Sequence, residues 1–283
     1  MDDLTLRVAA RYKKKKTVKT QEGKDMTVYE YSDRQIANRN RAKAKQVEKL
    51  RKNIGELRSK VKRDLRSEEP ETMLTALAVA LMDHTYERVG NEESAKDGHV
   101  GVTGWAKKHI SFGKGGAKIR YTGKSGVKHE KMVTDASIKK ALRDAYEAVE
   151  GDDESLFAWE GGKVTAEKVN AYLEGFDISA KDIRGFHANR EMQDRLKAAR
   201  KAGGRLAEDK KAREKQLKEE FKKALEETAD AVGHEAATLR SQYLVPGLEE
   251  SFLKDGSVLD KLGSTLEGAT LEQRVIARYL TEG

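Results

Sequence analysis

The chain contains no cysteine, which removes several kinds of chemistry at once. A protein without cysteine has no disulfide bonds, no thiolate nucleophile and no cysteine-ligated zinc. Its six histidines lack metal-ligand spacings such as His-Glu-x-x-His. We therefore predict that the protein uses neither a metal nor another cofactor.

Long apolar runs are also missing. No stretch approaches the roughly 18 consecutive apolar residues that a membrane-spanning helix needs. The first residues, MDDLTLRVAARYKKKK, lack the apolar centre of a secretory signal peptide. We therefore expect an intracellular protein that is not secreted and has no membrane partner.

Proline and aromatic residues are scarce, with two prolines and 6% aromatics in 283 residues. This scarcity favours a largely helical protein, because proline interrupts helices and aromatic residues are enriched in strands. The length is enough for one large domain, or for a small and a larger domain with a substantial core.

Positive charge is concentrated near the N-terminus. Residues 1–66 hold 21 Lys and Arg against 9 Asp and Glu, an excess of 12, whereas the remaining residues bring the total down to +8. Such a basic block is typical of phosphate-backbone binding, the alternative being a solvated tail. Interleaved tyrosines favour nucleic acid. The predicted DNA contacts are Lys13, Lys14, Lys15, Lys16, Tyr29, Tyr31 and, farther along, Lys128.

The charge pattern and the periodicity together suggest two domains. Residues 7–32 alternate loosely around a Glu-Gly-Lys-Asp turn and predict a basic β-hairpin. From Asp33 to about Arg66, apolar residues recur every three or four positions and predict an amphipathic helix. We assign residues 1–66 to a small basic DNA-binding domain and residues 67–283 to a catalytic domain.

Residues 67–283 predict mostly helices around a small sheet. Pro70 suits the first turn of an apolar helix, and three β-prone runs (109–112, 117–122 and 127–133) predict a three-stranded antiparallel meander. Further helices are expected from Ser137 as N-cap to before Gly151, near 165–173, from Ser179 as N-cap with Asp182, and over about 206–230. The predicted fold class is therefore mainly α, with a minor β component.

Six side chains could together transfer a phosphoryl group. They are Arg88, Lys124, Lys181, Arg184, His234 and Tyr243. A tyrosine has a pKa near 10, so its attack on phosphorus requires nearby positive charge or a base. Guanidinium groups can bind the non-bridging oxygens, and a lysine can protonate the departing alkoxide. Taken singly, each residue has an ordinary reading: packing, a helix end or a hairpin turn.

Several segments resemble the motifs of type IB DNA topoisomerases of the poxviral and bacterial kind. They are DHTYERVGNEESA, GVTGWAKKHI, IRYTGKSGVKHE, SAKDIRGF and GHEAATLRSQYLVP. The order Arg, Lys, Lys/Arg, His, Tyr matches, as does the nine-residue step from His234 to Tyr243. The resemblance covers roughly residues 70–255.

The resemblance implies a monomeric enzyme that nicks and reseals double-stranded DNA without ATP or metal. Tyr243 would form a 3′-phosphotyrosyl link and free a 5′-hydroxyl. Arg88, Arg184 and His234 would hold the non-bridging oxygens. Lys124 would protonate the 5′-oxygen, with Lys181 assisting. The protein would then be DNA-associated, in the cytoplasm or nucleoid or encoded by a virus.

The chain also departs from the family pattern. Gly185 replaces a threonine, His187 stands where a small residue is usual, and the N-terminal domain is short. We interpret His187 as a packing or DNA-contacting residue. The short N-terminal domain leaves open whether the protein encircles DNA.

Two other functions remain possible from the sequence. A tyrosine recombinase or integrase uses similar chemistry on a related fold, although it usually has His-x-x-Arg where this chain has Lys-Asp-Ile-Arg. A non-catalytic DNA-binding protein could retain the same fold. Nine residues of continuous helix would place His234 and Tyr243 on opposite faces, so we also predict that the helix is interrupted between them.

Overall fold

The architecture is mainly helical, with one three-stranded sheet beside the helices. A computed structural model describes residues 14–19, 25–91, 95–96, 98–123 and 126–258. One apolar core joins these elements, and its largest fully buried side chains include Trp105, Phe157 and Phe252. The predicted fold class is thus confirmed.

The basic N-terminal segment forms the predicted hairpin. Strand β1 (Lys14–Lys19) pairs antiparallel with β2 (Asp25–Glu30), and Lys15 lies opposite Tyr29. Lys13 lies outside the described residues.

Helix α1 (Asp33–Asp64) follows and is the longest helix described. Ser32 caps it, because its Oγ accepts from the Gln35 backbone N–H (3.3 Å) while Gln35 Oε1 accepts from the Ser32 N–H (2.8 Å). Its apolar stripe, including Leu50 and Leu57, belongs to the same core as the rest of the chain. The division at residue 66 stays a prediction.

Helix α2 (Pro70–Thr85) forms the centre of the fold. Proline occupies its first turn, where no backbone N–H is needed, and the helix is buried from Leu74 to Met82. It ends at Tyr86, whose φ of 63° is the left-handed conformation that often terminates helices. The next residues, Glu87 and Arg88, therefore leave the helix axis abruptly.

The predicted meander is confirmed as three antiparallel strands in chain order. They are β3 (Ile110–Gly113), β4 (Gly116–Thr122) and β5 (Lys128–Val133). Thr122 pairs with Lys128 at the far end of the β4–β5 hairpin. Lys124 and Ser125, which come between these two strands in the sequence, lie outside the described residues.

The remaining elements complete the helical part. They are α3 (Ala136–Glu147), a short β6–β7 ribbon (Ala158–Trp159 and Gly162–Lys163), α4 (Ala166–Glu174), α5 (Ala180–Gly203), α6 (Lys210–Val232), α7 (Ala236–Thr238), a π-helical turn (Leu239–Tyr243) and α8 (Leu248–Asp255). Helices α5 and α6 pack against each other, and α1 packs on α5.

Two helix boundaries test the capping predictions. Ser179 caps α5 as predicted, because Asp182 Oδ2 accepts from its N–H (2.8 Å) and its hydroxyl (2.7 Å). Ser137 as the cap of α3 was wrong. Asp135 takes that place, since its carboxylate accepts from the N–H groups of both Ser137 (2.9 Å) and Ile138 (3.0 Å). The end of this helix at Glu147 agrees with the prediction that it stops before Gly151.

Among the described residues, no helix has both the length and the apolar character required to cross a membrane.

Candidate active site

Arg88 is fixed by a close approach of two loops just beyond α2. The Val102 N–H donates to the Arg88 carbonyl oxygen (2.9 Å), and the Thr103 N–H donates to that of Val89 (2.9 Å). A Cβ on Gly101 would lie 2.5 Å from the backbone of Gly90, so the loops meet where no side chain fits. Arg88 is thereby held at the mouth of a cavity.

Arg184 lies in the second turn of α5 and is 4% exposed. Its Nη2 donates to the carbonyl oxygens of Val232 and Gly233, at the C-terminal end of α6. Within the described residues, its Nε and Nη1 have no hydrogen-bond partner. Burial, followed by the charge of Arg88, lowers the pKa of Arg184. A buried guanidinium with two donor nitrogens that lack acceptors is suited to binding an anion.

His234 follows the end of α6. Gly233, at φ 64°, terminates that helix, and the His234 side chain then contacts both Arg88 and Tyr243. Arg88 Nη2 donates to His234 Nδ1 (3.3 Å). Burial and the charges of Arg184 and Arg88 lower the pKa of His234 to about 3. The ring is therefore neutral at pH 7.

The hydrogen bond from Arg88 also assigns the tautomer of His234. A guanidinium can only donate, so Nδ1 accepts and the proton of the neutral ring is on Nε2. His234 Nε2 is buried and has no partner among the described residues. An acceptor oxygen is the group that this N–H lacks.

Tyr243 ends the π-helical turn. The predicted interruption between His234 and Tyr243 is confirmed, because α6 stops at Val232 and helical structure resumes only after Glu235. The new segment widens into a π turn closed by the Leu244 N–H donating to the Leu239 carbonyl oxygen (3.2 Å). The rings of His234 and Tyr243 consequently lie 4.4 Å apart, centroid to centroid.

A cavity of about 370 Å³ joins these elements. Arg88, Lys181, Arg184 and Tyr243 line it, together with backbone of the two loops near Gly90 and Gly101. Lys181 is exposed in the first turn of α5 and faces the same cavity as Arg184, as their spacing predicted. Five of the six predicted catalytic side chains thus meet at one place; Lys124 lies outside the described residues.

Two residues that hold the tyrosine segment could not be recognised from the sequence. Asn189 is fully buried, and its Nδ2 donates to the Tyr243 carbonyl oxygen (2.8 Å) while its Oδ1 accepts from the Val245 N–H (2.8 Å). Lys43, on α1, donates to the Leu244 carbonyl oxygen (3.0 Å). Burial and the charges of Arg39 and Lys181 lower the pKa of Lys43 to about 8.

His187 packs away from this site. It is 3% exposed, its Nε2 lies 2.7 Å from Asp83 Oδ1, and its ring stacks on Tyr86 with centroids 4.3 Å apart. Of the two roles considered for His187, the structure supports packing.

Most of the predicted DNA contacts that the structure describes lie on the two hairpins. Lys14, Lys15, Lys16 and Tyr29 are strand residues of β1 and β2. Tyr31 is partly exposed, and the Arg39 guanidinium lies 4.8 Å from the centre of its ring. Lys128 is exposed at the start of β5, near the hairpin tip. Their contacts with DNA stay predictions.

Within the part of the chain that the structure describes, no group of three or more His, Asp or Glu could hold a metal ion.

Most of the chain matches one known protein family. The family model for the catalytic core of eukaryotic DNA topoisomerase I matches residues 32–244, about three quarters of the chain. The match begins at the residue that caps α1 and ends just after Tyr243. A search of curated proteins found no match.

The chain therefore belongs to the DNA topoisomerase I family, whose members are type IB topoisomerases. The match extends farther toward the N-terminus than the motifs that first suggested this family, since it includes α1. The family is one of DNA-binding enzymes, and the tyrosine recombinase alternative is not favoured.

Proposed function

We propose that this protein relaxes supercoiled double-stranded DNA by cleaving and resealing one strand through Tyr243. The observation that carries the proposal is a set of buried hydrogen-bond donors beside the tyrosine that lack acceptors. Arg184 Nε and Nη1 and His234 Nε2 lack partners among the described residues, and Arg88 lies against His234. A phosphodiester supplies the acceptor oxygens that these groups lack.

In the proposed reaction, the Tyr243 phenolic oxygen attacks the scissile phosphorus. One P–O bond to tyrosine forms as the P–O bond to the 5′-oxygen breaks, leaving a 3′-phosphotyrosyl link and a 5′-hydroxyl. The phenolic proton passes to water, and Lys124 gives its proton to the departing 5′-oxygen, with Lys181 assisting the transfer. Religation is the reverse, so one ester bond is exchanged for another and ATP is not consumed.

Arg88, Arg184 and His234 would stabilise the transition state. Its negative charge spreads over the non-bridging oxygens, where guanidinium forks and the His234 Nε2–H can donate. Because Arg184 is buried and Arg88 and His234 are only partly exposed, water screens these donors less than it would at an open surface. No step in this scheme requires a metal ion.

The basic hairpin and α1 would provide the DNA-binding surface outside the cavity. We propose that the protein acts as a monomer on intracellular DNA, since one chain supplies all six of the proposed catalytic side chains. The Lys43 and Arg39 contacts with the tyrosine segment would connect this surface to the nucleophile.

The test is plasmid relaxation in EDTA without ATP, comparing the parent with Tyr243→Phe. We expect the parent to relax supercoiled plasmid and the variant to lose the activity and the covalent adduct, because the phenylalanine has no nucleophilic oxygen. Tyr172→Phe is the matched control: its hydroxyl donates to Asp64 (2.8 Å), outside the cavity. If the parent binds DNA yet neither relaxes it nor forms an adduct, the protein is a non-catalytic DNA-binding member of the family.

A further inference from the structure

One histidine contacts the residues that precede three of the proposed catalytic side chains. His129, on β5, lies against Glu87, Gly123 and Gly233. Along the chain, these residues come directly before Arg88, Lys124 and His234, respectively. The three residues follow three different elements, so His129 is a common contact of three separate parts of the site.

The contact of His129 with Glu87 lies in a buried place. Glu87 is 3% exposed, and its Oε1 lies 3.3 Å from His129 Nδ1 and 3.2 Å from Lys131 Nζ. Burial opposes ionisation of Glu87, but the adjacent His129 and Tyr121 side chains and the charge of Lys131 outweigh it and lower the pKa to about 2. Glu87 is therefore a carboxylate at neutral pH, and it ties the loop before Arg88 to β5.

The two glycine contacts are close enough to exclude any side chain. A Cβ on Gly123 would lie 2.7 Å from His129 Nε2, and one on Gly233 would lie 2.7 Å from His129 Cε1. The ring is also stacked on Tyr121 of β4, with centroids 5.0 Å apart and planes 7° from parallel. The ring is thus wedged between the base of the hairpin tip and the end of α6.

Lys131 adds a second tie from the same strand. Its Nζ donates to the Ala231 carbonyl oxygen (2.9 Å) at the end of α6 while lying beside Glu87. The β4–β5 hairpin is consequently attached near its tip to the Arg88 loop and to the segment leading to His234. A hairpin tip held only by its own strands would be free to move, since two-stranded ribbons are weakly stable alone.

We propose that Glu87 and His129 are a positioning pair that holds the hairpin carrying Lys124 against the Arg88 and His234 side of the site. The inference rests on the proposed function, in which Lys124 protonates the leaving 5′-oxygen. Neither residue touches the cavity. The pair acts by setting where Lys124 lies when DNA is bound, and misplacement by about 1 Å can slow an enzyme by about 100-fold.

The experiment compares two DNA substrates in single-turnover cleavage by the full chain. One carries the normal 5′-oxygen leaving group, and the other carries sulfur in its place at the scissile bond. A thiolate leaves without a proton, so the second substrate does not need a general acid. Lys124→Ala calibrates the assay: we expect a loss of about 10²- to 10⁴-fold on the oxygen substrate, mostly regained on the sulfur substrate.

Glu87→Gln and His129→Asn are expected to behave as weaker forms of Lys124→Ala. Each should slow cleavage of the oxygen substrate by about 10- to 100-fold and cleave the sulfur substrate at nearly the parent rate. Combining Glu87→Gln with Lys124→Ala should slow the oxygen substrate no further than Lys124→Ala alone, because both changes remove one function. Affinity for uncleaved duplex should stay at the parent value.

The Asp83–His187 contact provides the matched control. It is another buried carboxylate–imidazole contact, but it does not touch the cavity or the hairpin. His187→Gln should lower the melting temperature and leave both cleavage rates near those of the parent. Thermal melts of all variants establish that each is folded at the assay temperature.

Three results would overturn the proposal while the function stands. They are parent rates for Glu87→Gln and His129→Asn on both substrates, equal losses on both substrates, and an additive loss in the double variant. The proposed role of Lys124 fails by a different result, namely a Lys124→Ala loss that the sulfur substrate does not restore.

Discussion

At the scale of single residues, His234 lies in surroundings that oppose its protonation. A neutral imidazole lies beside Arg88, and the buried Arg184 contributes further positive charge that opposes its protonation. In water its pKa would be near 6.5, whereas burial and these charges lower it to about 3. Binding of a phosphate anion would add negative charge to the cluster and relieve this opposition.

The lowered pKa of His234 should make the stability of the protein depend on pH. Between pH 6.5 and about 3, unfolded His234 binds a proton that folded His234 does not, so its contribution to the free energy of unfolding decreases as pH falls through that range. Urea denaturation at pH 7.5, 6.0 and 5.0 should show a larger loss for the parent than for His234→Gln. Equal losses would mean that His234 is not held neutral.

The sequence revealed residues with recognisable chemistry better than it revealed those that hold them. Arg88, Arg184, His234 and Tyr243 were predicted because their types and order suit phosphoryl transfer, and they lie together. Glu87 and Asn189 were missed because only the fold shows that they are buried and what they contact. A carboxylate beside an arginine has no special meaning in a sequence until its burial is known.

At the scale of elements, the tyrosine segment depends on a break that the sequence could indicate only in part. Helical geometry required an interruption between His234 and Tyr243, and Gly233 supplies its start in the left-handed conformation. The wider π turn that follows was not predictable, because it is set by partners on other helices. Asn189 on α5 binds both sides of this turn's end, and Lys43 on α1 binds the next carbonyl.

Asn189→Ala tests how strongly the segment relies on α5. The change leaves the Tyr243 carbonyl and the Val245 N–H without their side-chain partner, which costs about 1–3 kcal/mol for each buried group left unpaired. We expect lower stability together with slower formation of the covalent adduct at unchanged DNA affinity. Measurements would combine urea denaturation with single-turnover cleavage.

A control separates general destabilisation from displacement of Tyr243. Thr228→Val on α6 also removes a fully buried polar group, whose hydroxyl donates within its own helix to Ala224 (2.7 Å). This variant should lose stability without slowing adduct formation by folded protein. Equal slowing in both variants would contradict a specific role of Asn189.

At the scale of the whole molecule, the helical content and the small sheet could be predicted from composition and periodicity, and the structure confirms both. The domain boundary was harder to infer, because the charge pattern changes near residue 66 while apolar packing continues across it. Leu50 and Leu57 of the basic segment are buried in the common core. Charge therefore indicates a surface for DNA, and it does not by itself mark where a folded unit ends.

The basic N-terminal segment should determine how strongly duplex binding depends on salt. Replacing Lys13, Lys14, Lys15 and Lys16 with glutamine should weaken duplex binding and reduce its salt dependence, because each lost phosphate contact removes about 0.9 from the slope of log K against log salt.

The control replaces four exposed lysines of α6: Lys211, Lys215, Lys218 and Lys222. This helix also carries Glu219 and Glu226, which pair with Lys215 and Lys222, so its lysines are partly neutralised. Fluorescence anisotropy with a short duplex from 50 to 200 mM salt should show a lower slope for the N-terminal variant and little change for the control. Equal slopes in the two variants would mean that overall charge, and not this hairpin, governs DNA binding.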